Sequence, residues 1–121
     1  GKTVVIADSD VQLCELLAHY LPIVEAPPSS RHDMKDLVKY LQDEPPHLLM
    51  IDVNLPGIDN ISKFFYRLRN DKRFMRMPVL GTCAVHRMPD TEEIRLLSVN
   101  DLLRKPFSFT DVGTKIRKYL T

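Results

Sequence analysis

Four polar residues each follow a short apolar segment, and together their side chains could handle a phosphate group. Asp8 follows VVIA, Asp52 follows LLMI, Thr82 follows VLG and Lys105 follows DLLR. Two close carboxylates repel each other and raise each other's pKa unless a cation lies between them. A hard divalent ion such as Mg²⁺ prefers carboxylate and phosphate oxygens. If the fold brings these side chains together, two acids, a hydroxyl and an ammonium would suit a dianionic phosphoryl group.

The segments that precede these residues have the pattern of β-strands: they are short, apolar and rich in branched side chains. Five such segments lie at residues 2–8, 22–26, 47–52, 77–82 and 101–105. The segments between them carry apolar residues at helical spacing, at 13–20, 34–41, 61–68 and 112–120, with a weaker helix within 91–99. Asp10 or Ser9, Ser30, Asn60 and Ser108 stand where helix N-caps are expected.

Strictly alternating strands and helices predict parallel strands joined by right-handed crossovers. The expected fold is a single α/β domain over residues 1–121, with a doubly wound, flavodoxin-like parallel sheet of five strands and helices on both faces. In the strand order 2-1-3-4-5, strands 1 and 3 are neighbours, which places Asp8 and Asp52 side by side at the switch point.

Composition narrows the class of protein. The chain has 121 residues, 44% hydrophobic and 27% charged, with a net charge of +1, which predicts no general attraction to nucleic acid or to a membrane. No apolar run is long enough to span a bilayer and no signal peptide is evident, so we expect a cytoplasmic protein. The densest basic run, residues 67–76, is typical of a solvated helix end, with an acidic partner or nucleic acid as alternative ligands.

The motifs VVIADSD, LLMIDVNLPG, PVLGT and RKPF occur in this order along the whole chain. Together they resemble the receiver (REC) domain of two-component response regulators. The resemblance implies that Asp52 is the phosphoacceptor, which attacks the phosphohistidine of a sensor histidine kinase or histidine phosphotransfer protein. It also implies that Asp8, Asp52 and the backbone carbonyl of Asn54 hold Mg²⁺.

The same resemblance assigns the remaining site residues and the partners. Lys105 would contact the phosphoryl oxygens, Thr82 would supply the switch hydroxyl, and Pro106 is a candidate for a cis peptide bond. The domain would relay its phosphorylation state through a conformational change, as a signalling domain rather than an enzyme that acts on substrates. An output domain or partner protein, and a homodimer through helices 4 and 5, follow from the analogy.

The sequence departs from the receiver pattern at three places. Ser9 replaces the second acid after strand 1, so we expect weak Mg²⁺ binding; Asp10 is either a further ligand or the N-cap of the first helix. Leu102 stands at the switch position where the family commonly has an aromatic residue, and residues 96–100 lack a small Gly-Ala pair.

Two alternatives to a phosphorylated receiver remain open at this point. The first is a degenerate pseudo-receiver that binds partners without being phosphorylated. The second is a small phosphatase of the haloacid dehalogenase type, because DVNL at 52–55 resembles the D-x-D-x start of those enzymes. Asn54 stands in place of their second acid, and the chain is short for a cap domain.

Overall fold

A computed structural model of the chain describes residues 2–21, 27–57 and 60–120. Its strands and helices alternate along the chain. The elements are β1 (Val4–Ala7), α1 (Val11–Tyr20), β2 (Ser29–Arg31), α2 (Met34–Leu41), β3 (Leu48–Asp52), α3 (Ile61–Arg69), β4 (Val79–Ala84), a 3₁₀ turn (Val85–Arg87), α4 (Thr91–Leu96), β5 (Asp101–Lys105) and α5 (Phe109–Leu120).

The strands form one parallel sheet in the order β2-β1-β3-β4-β5. This order confirms the predicted doubly wound topology. The central strands β1 and β3 are buried over almost their whole length, as expected for strands covered by helices on both faces. This buried position in the sheet explains why β1 and β3 are continuous apolar runs in the sequence.

Two apolar clusters cover the two faces of the sheet. Side chains of α1 and α5 pack on one face, with Leu17 and Ile116 at their centre. Side chains of α2 and α3, together with Leu97 after α4, pack on the other face, with Leu37 and Phe65 fully buried. Because successive strand residues point to opposite faces, β1, β3, β4 and β5 each contribute side chains to both clusters.

The second strand is where the sequence prediction could be least precise. The predicted strand at residues 22–26 lies outside the described residues, and the strand that pairs with β1 is Ser29–Arg31. It is a polar edge strand and therefore lacks the apolar pattern of an inner one. The predicted N-cap Ser30 lies within this strand, and α2 is instead capped by Asp33, whose side chain accepts from the Asp36 N–H.

The other predicted helices are present, but not every residue of the predicted apolar stripes is buried. Asn60 caps α3 and Ser108 caps the start of α5, as predicted. In α1 the predicted apolar stripe of Leu13, Leu16, Leu17 and Tyr20 is partly wrong, because Leu16 and Tyr20 are exposed whereas Cys14 is buried. Val38 of the predicted α2 stripe is also exposed. The weak helix within 91–99 is the six-residue α4. Among the described residues, no helix has the length and apolar character needed to cross a membrane.

Candidate functional site

The carboxyl ends of β1, β3, β4 and β5 bring the four polar residues of the sequence analysis to one edge of the sheet. Ala7 pairs with Ile51, so Asp8 and Asp52 follow neighbouring positions on adjacent strands. Asp52 itself pairs with Thr82, and residue pairs in a parallel ladder point to the same face. Lys105 ends β5, one strand further on.

Lys105 connects the two carboxylates. Its ammonium lies 2.7 Å from Asp8 Oδ2 and 3.1 Å from Asp52 Oδ2. The three side chains are mostly removed from solvent, with exposed fractions of 23% for Lys105, 5% for Asp8 and 15% for Asp52. Burial lowers the pKa of Lys105, but hydrogen bonds and charge attraction from both aspartates outweigh it, so the net shift is upward. One cation therefore offsets the repulsion between two adjacent acids.

The same type of hydrogen bond from the backbone orients both aspartates. Asp8 Oδ1 accepts the Asp10 N–H at 2.8 Å, and Asp52 Oδ1 accepts the Asn54 N–H at 2.8 Å. Such bonds to the backbone two residues on are typical of Asp at the start of a turn. They turn the Oδ2 atoms of both carboxylates toward Lys105.

Asp10 caps α1. Its Oδ1 accepts the Leu13 N–H at 3.0 Å, and its side chain is exposed. Within the described residues, no group of three or more His, Cys, Asp or Glu is arranged to hold a metal ion. The oxygen donors beside Lys105 are the carboxylates of Asp8 and Asp52, and carboxylates are ligands that suit a hard cation such as Mg²⁺.

Thr82 and the next residue, Cys83, lie on β4 beside β3, with their side chains on opposite faces of the sheet. Thr82 is buried on the face of Asp52. Cys83 is buried on the other face, where it contacts the thioether of Met88. Burial raises the pKa of the Cys83 thiol, and the charge of Asp52 adds to that rise. Cys83 was not among the predicted site residues; strand alternation from Thr82 was the signal that could have indicated it.

Leu102 belongs to the Cys83 face of the sheet. It pairs with Gly81, and a Cβ at Gly81 would lie 3.0 Å from Leu102 Cδ1 and 3.3 Å from Val99 Cγ1. Leu102 therefore lies over a glycine and packs inward against the core. The peptide bond between Lys105 and Pro106 is cis, in agreement with the prediction for Pro106.

Two side chains that sequence reasoning did not assign support Asp8. His32 Nδ1 lies 2.9 Å from the Asp8 carbonyl oxygen, and the Cys14 thiol donates to the same oxygen at 3.7 Å. Burial, followed by the charges of Asp8 and Asp10, raises the pKa of Cys14 to about 11. Cys14 is therefore a neutral thiol near pH 7 and adds no further negative charge to the site.

Comparison with known proteins places this geometry in a family. The chain matches the response regulator receiver domain family over residues 4–117. It is 28% identical over 99% of its length to the response regulator GtcR of Aneurinibacillus migulanus, and 27% identical over 97% of its length to the transcriptional regulatory protein BaeR of Escherichia coli O6:H1. It covers 48% and 47% of those proteins, about half of each.

A solved structure shows the same fold. The chemotaxis response regulator CheY4 of Vibrio cholerae superposes with a TM-score of 0.82 at 18% identity, over 98% of each chain. The chain belongs to the response regulator receiver domain family. Response regulators are components of two-component signal transduction. The receiver domain family generally binds Mg²⁺ at its phosphorylation site, and the match does not favour a dehalogenase-type phosphatase.

Proposed function

We propose that this domain accepts a phosphoryl group on Asp52 and relays its phosphorylation state to a partner. The observation that carries the proposal is the partly exposed Asp52 carboxylate, held beside Asp8 by a shared Lys105 ammonium. A loop-capping acid would need only its bond to the Asn54 N–H. A cation aimed at the same carboxylate is what an incoming dianion requires.

The donor we propose is a phosphohistidine of a sensor histidine kinase or phosphotransfer protein. An Asp52 carboxylate oxygen attacks phosphorus, an O–P bond forms and the donor's N–P bond breaks. The imidazole nitrogen leaves with the electron pair of the N–P bond and takes up a proton from water, which leaves the donor histidine neutral. The Lys105 ammonium, already within 3.1 Å of Asp52, can transfer a hydrogen bond from the carboxylate to a phosphoryl oxygen.

We propose Asp8, Asp52 and the Asn54 backbone carbonyl as ligands of Mg²⁺. A bound divalent cation would offset repulsion between the carboxylates and the phosphoryl oxygens. Asp10 remains a candidate ligand only if it gives up its bond to the Leu13 N–H. Because Ser9 supplies no carboxylate, and because Lys105 competes for both acids, weak Mg²⁺ affinity is expected.

We place the switch contact on β4. Thr82, which pairs with Asp52, is the proposed hydroxyl that follows the phosphoryl group. Cys83 is tested alongside Thr82, because the charge of Asp52 helps to raise the pKa of its thiol and because Cys83 and Leu102 lie on the same face of the sheet. Phosphorylation of Thr82→Val that no longer changes partner binding would assign the role to Thr82; loss only in Cys83→Ala would assign it to the thiol.

Intact-mass spectrometry after incubation with Mg²⁺ and acetyl phosphate tests the proposal. We expect one added phosphoryl group on the wild type and none on Asp52→Asn. Asp111→Asn, an exposed acid on α5, is the matched control and should be modified like the wild type. No addition at high Mg²⁺ would contradict the proposal and favour a phosphorylation-independent binding module.

The remaining proposals concern the setting of the domain. An output domain or a separate partner protein would respond to the phosphorylation state. A homodimer would form through α4 and α5. A cytoplasmic location fits a domain phosphorylated by a kinase.

A further inference from the structure

A groove between α2 and α3 lies on the opposite face of the sheet from α1 and α5. Its volume is about 510 Å³, within the range of about 300–1,000 Å³ that is usual for binding pockets. Its apolar lining is formed by Met34, Val38, Leu41, Phe64, Leu68 and Phe74. Val38 is 42% exposed on α2, so this lining reaches the surface. We call this surface the α2–α3 groove.

Two cations of α3 border the groove. Lys63 and Arg67 are exposed, line the groove, and are one helical turn apart on the same face of α3. In the part of the chain that the structure describes, neither side chain forms an ion pair. Both also line a second groove toward α4, beside Tyr66, which is 71% exposed. The two cations form a ridge between two partly apolar surfaces.

Arg69, Asp71 and Arg73 in this region already have partners. Arg69 donates to the carbonyl oxygens of Phe74, Met77 and Ser98. The acid that lines the groove, Asp71, lies 3.0 Å from Arg73. The basic run of residues 67–76 is therefore not one uniform patch. Lys63, outside that run, and Arg67, at its start, are the cations that the groove presents to a ligand.

We propose that the α2–α3 groove binds an acidic amphipathic helix of a partner protein. An apolar groove between two helices accepts the apolar face of a third helix, with side chains spaced at i, i+3 or i+4, and i+7. Glu or Asp at the edge of that face would meet Lys63 and Arg67. A nucleic acid would satisfy the cations through its phosphates but has no apolar face to cover Val38 and Phe64.

The groove is separate from the phosphoacceptor edge of the sheet, and its binding does not depend on the proposed phosphorylation. Gly57, which lines the groove, lies five residues after Asp52 in the sequence, but Asp52 itself does not line the groove. Binding to the unphosphorylated wild type and to Asp52→Asn should therefore be equal, and a failure to bind would leave the phosphorylation result unaffected.

Fluorescence anisotropy with a designed probe tests the proposal. The probe is a labelled peptide of about 15 residues, with Leu on one helical face and Glu on its flanks. A second peptide carries Lys in place of each Glu. We expect the acidic peptide to bind and the basic peptide to bind at least about tenfold more weakly, with the difference falling as salt rises.

Charge reversals locate the binding site. Lys63→Glu/Arg67→Glu should weaken the acidic peptide about tenfold, since two attractions become two repulsions. Lys72→Glu/Arg76→Glu is the matched control: both residues are exposed, belong to the same basic region and do not line the groove. It should change the affinity by less than about threefold.

An apolar substitution tests the second half of the proposal. Val38→Asp should weaken the acidic peptide by about tenfold, while Val11→Asp, which is also exposed but lies on α1, should have no effect. Circular dichroism of each variant would show that the fold is kept. Equal loss in both charge-reversal pairs, equal binding of both peptides, or tighter binding of a labelled DNA duplex would overturn the proposal.

Discussion

Replacement of Lys105 by Met should destabilise the protein by more than the loss of an ordinary surface ion pair. The ammonium lies 2.7 Å from Asp8 and 3.1 Å from Asp52, and Asp8 is only 5% exposed. Without Lys105, two adjacent carboxylates face each other in a site of low solvent access. Breaking a fully buried ion pair costs about 3–5 kcal/mol, and an exposed pair about 0–1 kcal/mol. This partly exposed site should lie between, at about 2–3 kcal/mol.

The chain contains a matched control for this substitution. Lys115 pairs with Asp101 at 2.6 Å, but the two side chains are 34% and 27% exposed. Lys115→Met should therefore cost clearly less stability than Lys105→Met, because an exposed ion pair contributes little. Urea unfolding at pH 7 measures both, and a loss of about 2–3 kcal/mol corresponds to a fall in Tm of roughly 10 °C for a domain of this size.

A double substitution tests the physical reason. Asp8→Asn in the Lys105→Met background removes the excess negative charge, so it should recover about half of the lost stability. Added Mg²⁺ should stabilise Lys105→Met more than the wild type, because the variant has no ammonium to compete for the carboxylates. A loss of stability in Lys105→Met no larger than that in Lys115→Met, or a further loss when Asp8→Asn is added, would refute this explanation.

The same ion pairs predict a dependence on alkaline pH. The folded state raises the pKa of Lys105 above its ordinary value of 10.5, so its contribution is complete below pH 10.5 and is lost as the pH rises through the folded pKa. The stability difference between wild type and Lys105→Met should therefore be constant from pH 7 to about pH 10 and narrow above it. A difference that is unchanged at higher pH would contradict this assignment.

Three further predictions concern structural residues. Arg69→Lys should cost about 2–3 kcal/mol in urea unfolding, since an ammonium cannot reach the three backbone carbonyls that the guanidinium joins at 2.6–2.8 Å; a loss below about 0.5 kcal/mol would contradict this role. Gly57→Ala should cost about 1–2 kcal/mol, because Gly57 has φ +88° and a Cβ there would lie 3.3 Å from Met34 Cβ; unchanged stability would refute the strain. Burial alone would raise the pKa of Asp101, but its hydrogen bond to Lys115 and its charge interactions make the net shift downward from 3.8. Its stabilisation should therefore be present above pH 3.8 and vanish as the pH falls further, which Asp101→Asn compared with wild type across an acid titration would measure.

The topology and the position of the acids could be predicted from the sequence because both depend on local patterns. Buried parallel strands require continuous apolar runs, and the residue after such a run lies at the sheet edge whatever the rest of the chain does. Asp8, Asp52 and Lys105 were found in this way. The caps Asp10, Asn60 and Ser108 were also local signals, since each side chain bonds a backbone N–H three residues later.

The contacts between side chains of distant elements depend on tertiary packing and could not be predicted from local sequence patterns. β2 is a polar edge strand without a pattern of buried apolar residues, so the sequence did not indicate it. Ser30 was therefore predicted as a helix cap. That Lys105 bonds both aspartates depends on positions 97 and 53 residues apart in the chain. The division of the basic run into an internal Arg69 and a groove-lining Arg67 likewise depends on how α3 packs. A local sequence pattern records which face of an element is apolar, but the partner of a charge is set by the distances that only packing creates.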